Sequence, residues 1–499
     1  MAAEPSPVAV VGTIFGYTVP VRTYLLALAM AVSTAAASAP SKPPKPQVRA
    51  VWVDGFHAGI RTPEEVDKLV ADATAARLNL LIVQVRRRGD SYYLNSLEPP
   101  VEDAPYDPAF DALGTLLQKA HAAGLRVHVW MNVTPIWRAK QAAPKDPRHA
   151  FNLHGPTATG RENWLMTSDK GDTELPTGFS FDPGHPDAAR HIADTMINLV
   201  KHYPAVDGVH LDYVRYAELI GTTIEAGAGV GYNPVSLERF QKRYGVKDKP
   251  AANDARWSDW RREQITQLVR RIYLGIKEVN PAVELSAALI PWGDGPANAA
   301  AWPQAHPYWR VFQDWQGWLR TGLLDLAVPM NYDRQAEPRT RVFYENWIEF
   351  EKNHKHGRRL AVGLGAYLNN ADDNVVQLQK ALARSRRKKY SDGFSVYSYA
   401  NNGGLLARLP DVLKEAAPYP LPEPARDGHI AGVVQQADAA SVEIARKGMF
   451  GWSRRTRVLT DGNGFYGAIH LKPGTYRVSV PGKSQQTTVV PGKVSRVDF

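Results

Sequence analysis

The chain contains no cysteine. Disulfides, thiolate metal sites, thiol catalysis and lipid attachment through an N-terminal cysteine are therefore excluded. No tight histidine pair of the H-E-x-x-H kind occurs, so no compact zinc signature is present. The turn after the first predicted strand reads Asp54-Gly55-Phe56-His57-Ala58-Gly59. That is not the glycine fingerprint of a dinucleotide-binding fold. Beyond the N-terminal forty residues, no apolar run is long enough to cross a bilayer.

What remains is ordinary for a folded protein. The 499 residues are 44% hydrophobic and 22% charged. At roughly 100–200 residues per domain they allow two or three domains, or one barrel plus an accessory module. Tryptophan (13) and tyrosine (21) are generous and serve either a core or sugar-stacking surfaces. The net charge of +10 permits attraction to anionic polymers without selecting one. The densest basic run, Arg384 to Lys389, reads as the solvated end of a helix, where cations suit the dipole. No nucleic-acid partner is expected.

Arg22 precedes an apolar run, Tyr24 to Val32, and small residues follow to Ala39. This predicts a signal peptide with an N-terminal extension over residues 1–39, and hence a secreted or periplasmic protein. No stable membrane insertion is expected once the signal is removed. Residues 40–48 are a stiff proline-rich linker.

From residue 49 a strand-then-helix rhythm begins. Strand patterns run over Arg49–Phe56, Asn79–Arg88, Arg126–Val133, Asp207–Tyr216, Glu284–Trp292, Leu324–Tyr332, Arg359–Tyr367 and Asp392–Ala400. Helical patterns separate them, the first opened by Thr62 as N-cap and Pro63. Long insertions fall at residues 134–184 and 217–233. Eight such units predict a (β/α)8 barrel, an α/β fold, over residues 49–417; an open doubly wound sheet is the alternative. Residues 418–426 form a second proline-rich linker. Residues 427–499 hold seven short strands with glycine turns such as Asp461-Gly462-Asn463-Gly464, a small all-β sandwich.

The fourth strand stands out. A parallel strand buried on both faces should be an unbroken apolar run, yet this one carries His210, Asp212 and Arg215. In a barrel the site lies at the carboxyl ends of the strands, and the polar and aromatic residues of this chain gather at those ends. Two carboxyl groups flanking a glycosidic bond protonate the leaving oxygen and attack the anomeric carbon or activate water. Aromatic faces stack on sugar rings. Asp212 is the first catalytic candidate, as nucleophile or base, and its partner is Asp333 or Glu98. Arg86, Trp130, Asn132, His210, Arg215, Trp292, Asn331, Tyr332 and Tyr397 are candidates for binding sugar. No cofactor is expected. Two readings compete: a non-catalytic glycan-binding barrel, and a metal-dependent hydrolase using His57, His210, Asp54 and Asp212.

Four stretches carry a resemblance. They are Arg49-Ala50-Val51-Trp52-Val53, Gly89-Asp90-Ser91-Tyr92 continuing to Ser96-Leu97-Glu98-Pro99, Ala120-His121-Ala122-Ala123-Gly124-Leu125 continuing to His128-Val129-Trp130-Met131-Asn132, and Phe181-Asp182-Pro183-Gly184-His185-Pro186 followed by the fourth strand. Across the barrel the chain resembles the glycosyl-hydrolase-like 10 family of bacterial envelope proteins. The resemblance implies glycan hydrolysis in the envelope, with peptidoglycan strands stripped of peptides as the substrate class. Where the family often has a second acid after the fourth-strand aspartate, this chain has Tyr213. The C-terminal strands resemble transthyretin-like, carboxypeptidase-regulatory modules, which implies an accessory role.

Overall fold

The computed structural model describes residues 44–219, 229–453 and 455–499. The predicted signal peptide, residues 40–43 of the first linker and the centre of the 217–233 loop lie outside the described residues.

Eight strands close a barrel: β1 (Val48–Val53), β2 (Leu80–Arg86), β3 (Arg126–Asn132), β4 (Gly208–Asp212), β5 (Glu284–Leu289), β6 (Leu326–Asn331), β7 (Arg359–Gly365) and β8 (Gly393–Tyr397). Each pairs in parallel with its sequence neighbours, and β8 pairs with β1. The open sheet is thereby set aside. Period-two alternation sorts the side chains. Val48, Ala50 and Trp52 of β1 pack inside the barrel, whereas Val51 and Val53 pack outward against the helices.

The helices follow from local chemistry. Helix α1 (Pro63–Ala75) starts where the Thr62 side chain accepts the Glu65 amide, and Glu65 in turn accepts the amides of Gly59 and Arg61. Helix α2 (Ala112–Ala122) starts later than the hydrophobic pattern alone suggests, because Asp111 caps it. Helix α3 spans Pro186–His202 and α4 spans Ala255–Val279. The helical pattern between the fifth and sixth strands, Tyr308 to Arg320, is broken: Phe312 is left-handed (φ 57°), and Asp314 recaps α5 (Trp315–Thr321). Helices α6 (Pro338–Asn353), α7 (Ala371–Leu382) and α8 (Leu405–Leu413) complete the ring. Helix α7 ends before the basic run, so Arg384 to Lys389 lies in a loop rather than at a helix end.

The barrel axis is polar at depth. Trp52 Nε1 donates to His210 Nε2 (3.1 Å), and His210 Nδ1 and His128 Nδ1 both meet Ser286 Oγ (3.0 and 2.9 Å). At the amino-terminal end, Glu284 pairs with Arg359 (2.7 Å) and accepts from the Tyr419 hydroxyl (2.7 Å). Tyr419 belongs to the second proline-rich segment. That segment therefore begins by stoppering the barrel floor before it acts as a connector.

The C-terminal strands form two sheets around Ile430, Val442, Ile444, Tyr466, Val478 and Val497. They are firmly docked. Ala431 and Phe465 share the barrel's outer core, Arg271 pairs with Asp461 (3.0 Å), and Arg239 grips Asp438 with two nitrogens (2.7 and 2.9 Å). Among the described residues, no helix is long and apolar enough to cross a membrane.

Candidate active site

A cleft of about 620 Å³ opens at the carboxyl ends of the strands. It is lined by Asp212, Asp333, Trp130, Asn132, Arg215, Trp292, Tyr332 and Tyr397, eight of the residues singled out from sequence. They converge because each stands at or just beyond the end of its strand.

Asp212 is the last residue of β4 and is buried. The next residue, Tyr213, is left-handed (φ 49°), a conformation that costs energy for a non-glycine residue. This twist turns the Tyr213 amide back onto Asp212 Oδ1 at 2.6 Å. Burial raises the Asp212 carboxyl to about 6, against the pull of that amide and the Arg215 charge. Asp333, two residues past β6, is raised to about 7 by burial, with Glu337 adding repulsion. Both acids therefore titrate near neutrality, as groups that exchange protons in catalysis must.

Trp52, Trp130, Tyr332, Tyr367 and Tyr397 surround the floor. Tyr332 and Tyr397 stack at 5.2 Å, and Trp52 meets both edge-on at 6.2 and 6.1 Å. Two glycines of β7 make the space. A Cβ on Gly363 would lie 2.9 Å from the Trp52 ring, and one on Gly365 2.8 Å from Tyr332. The wall is cationic, with Arg87, Arg88, Arg138 and Arg215. Arg215 lies between the rings of Tyr213 (4.8 Å) and Trp292 (5.1 Å). Among the described residues, no acceptor reaches Arg215 Nε, Arg88 Nε or Arg88 Nη1, although Arg215 is only 8% exposed and Arg88 9%.

Four sequence candidates lie elsewhere, each for a physical reason. Glu98 and Arg86 form a buried fork-to-fork ion pair with both contacts at 2.6 Å, and His191 also binds Glu98 (3.1 Å). The Arg86 charge, with His191, holds the Glu98 carboxyl down at about 2 despite burial. A bulge between Gln84 and Arg86 turns Arg86 away from the barrel interior. That same bulge brings Arg87 and Arg88 to the mouth, which strand alternation could not reveal. His210 shares Asp212's face but sits one layer deeper, under Trp52, with both ring nitrogens engaged. Asn331 falls on the outer face of β6 and donates to Glu351 on α6 (3.2 Å).

Asn132 does reach the cleft, yet its Oδ1 already accepts from Trp130 (3.0 Å) and Gln84 (3.2 Å). It braces the floor. Trp52, Tyr213 and Phe56 were not singled out; Trp52 could have been, since it is the inward residue nearest the end of β1. The metal reading finds no support in the geometry. Asp54 accepts from the Phe56 amide and pairs with His57 (2.8 Å), and among the described residues no three His, Asp or Glu side chains are grouped so as to hold a metal ion.

A parallel eight-stranded barrel with an aromatic floor and two titratable carboxyls at its mouth is a scaffold of the glycosidase type. The chain belongs to the glycosyl hydrolase-like 10 family, whose match covers residues 47–372. It is 26% identical over 281 residues to glycosyl hydrolase DigH of Escherichia coli K12, covering 52% of this chain and 55% of that protein. It is 25% identical over 307 residues to glycosyl hydrolase YngK of Bacillus subtilis 168, covering 57% and 54%. The chain thus spans about half the length of the curated relatives it matches. The fold is also that of the catalytic domain of β-amylase from Paenibacillus polymyxa, at 12% identity, TM-score 0.50, and coverage of 72% of this chain and 95% of that one.

Proposed function

We propose that the protein is a secreted or periplasmic glycoside hydrolase that cuts peptidoglycan-type glycan strands. The observation that carries the reading is the pair of acids with raised titration, the buried Asp212 and the half-buried Asp333, in one aromatic cleft. Asp333, the weaker acid, protonates the glycosidic oxygen as the bond breaks. Asp212, the stronger, attacks the anomeric carbon or takes the proton of the attacking water. The Tyr213 amide and Arg215 hold the charge of ionised Asp212 in place. Tyr332, Tyr397 and the tryptophans stack on the sugar faces.

The pH dependence follows with a definite sign. Activity requires ionised Asp212 and protonated Asp333, so kcat/KM should rise as pH climbs through about 6 and fall as it passes about 7. Asp333→Asn should abolish the alkaline limb and slow the reaction. A profile flat from pH 5 to 9 would contradict this pairing.

The arginine wall favours an acidic glycan. A buried guanidinium short of partners is costly, and a substrate carboxylate relieves that cost. Burial and the nearby Arg87 charge both lower the Arg138 titration, so an anion there is welcome. Peptide-free peptidoglycan strands carry a free lactyl carboxylate on alternate sugars, which suits this wall and agrees with the family resemblance. The test compares kcat/KM on such strands, on the same strands with their carboxyls reduced to alcohols, and on neutral polysaccharides. Carboxyl reduction is expected to cost on the order of 10-fold or more. Equal cleavage of native and reduced strands would reject the acidic substrate while leaving the carboxylate mechanism standing.

A further inference from the structure

The most exposed large apolar side chains among the described residues sit together, away from the cleft. Met449 is 91% exposed and Phe450 99%; the next, Leu421, is at 67%. They form the tip of a hairpin between the strand Ser441–Gly448 and the short strand Gly451–Trp452, with Lys447 facing Trp452 and Gly448 facing Gly451. The pairing holds the two side chains out from the sandwich, where none of the described residues covers them.

Cations ring this tip. Residues 446–457 read Arg-Lys-Gly-Met-Phe-Gly-Trp-Ser-Arg-Arg-Thr-Arg, with five basic residues and no acid. Arg477, on the neighbouring strand, lays its guanidinium 4.6 Å from the Trp452 ring centre. The nearby acid, Glu443, is already paired with Arg455 and Arg457. Among the described residues, Arg446, Lys447 and Arg477 have no carboxylate partner, and Arg446 leans on the Pro473 carbonyl (2.7 Å).

A convex tip of two side chains is too small to anchor a protein interface, which buries on the order of 800 Å² per partner. A bilayer surface takes such a tip readily. Apolar side chains enter the acyl boundary, an aromatic ring rests at headgroup level, and cations meet anionic lipid. We propose that this hairpin is a membrane-contact site for an anionic phospholipid surface. Met449 and Phe450 insert, Trp452 lies at the interface, and Arg446, Lys447 and Arg477 face the headgroup phosphates. The sandwich then holds the docked barrel at a membrane face.

The test is sedimentation of the full chain with vesicles of phosphatidylglycerol and phosphatidylcholine, and with phosphatidylcholine alone. The N-terminal segment is common to every variant, so differences between variants report on the hairpin. Met449→Ser/Phe450→Ser should lower the partition coefficient on anionic vesicles about tenfold or more. Lys447→Glu should lower it on anionic vesicles only. Melting temperature and cleavage of soluble glycan should stay at the wild-type level in both variants, since these side chains are exposed among the described residues. Unchanged partition of the double variant overturns the proposal. So does a double variant whose only change is dissociation of a self-associated form in vesicle-free solution, which would make the tip a protein contact.

Discussion

Asp212→Asn is expected to lower kcat on glycan strands by on the order of 10³-fold while leaving the barrel folded. The amide keeps the shape and the acceptor oxygen that meets the Tyr213 amide, but it neither attacks nor accepts a proton. The stability outcome has its own sign. Burial holds the Asp212 carboxyl at about 6, above its ordinary 3.8. The stabilising contribution of its neutral form is complete below the ordinary value and is lost as pH rises through about 6. At pH 8 the wild type carries a buried charge at a cost on the order of 2–3 kcal/mol, and the asparagine variant does not. Thermal melts at pH 8 should therefore show the variant at least as stable as the wild type. A variant that loses activity because it unfolds would point to a structural Asp212.

Glu98→Ala is expected to do the reverse: destabilise the barrel by about 3–5 kcal/mol, with the folded fraction still cleaving. Removing Glu98 strands the fully buried Arg86, whose remaining contacts are backbone carbonyls of Asn132 and Val133. Arg86→Leu combined with Glu98→Ala should recover much of the loss, because no unpaired charge is left. Glu98 is held at about 2, below its ordinary 4.5. Its contribution is present above 4.5 and is lost as pH falls towards 2, so the wild type should lose this part of its stability only in acid. Calorimetry from pH 3 to 7 reads both effects. A Glu98→Ala protein that melts normally but fails to cleave would restore Glu98 to the site.

These two residues also show how far the sequence reaches. The barrel was legible because eight apolar strands alternate with capped helices, and Asp212 because an acid ends a strand that should be apolar. Strand ends supplied Trp130, Trp292, Tyr332 and Tyr397 in the same way. Glu98 and Arg86 misled because a loop and a bulge, not alternation, decide where they point. The bulge also concealed Arg87 and Arg88, whose neighbours in sequence look like one solvated basic run. His210 misled through depth: period two gives the face of a strand and not the layer within the barrel. Asn331 has the opposite parity to Met330 and Tyr332, so its outward direction was readable once β6 had a register. The docking of the sandwich through Asp438, Asp461 and Phe465 has no local signature, since each is an ordinary turn or strand residue until the fold brings α4 and its neighbours beside it.

The central claim is that Asp212 and Asp333 together break a glycosidic bond. Its most direct test is the release of new reducing ends from purified, peptide-free glycan strands by the wild type, Asp212→Asn and Asp333→Asn, each confirmed as folded by its melt. Rapid release by the wild type, with release at least about 10²-fold slower by each variant, is the expected result. Release by Asp212→Asn at the wild-type rate would contradict the claim.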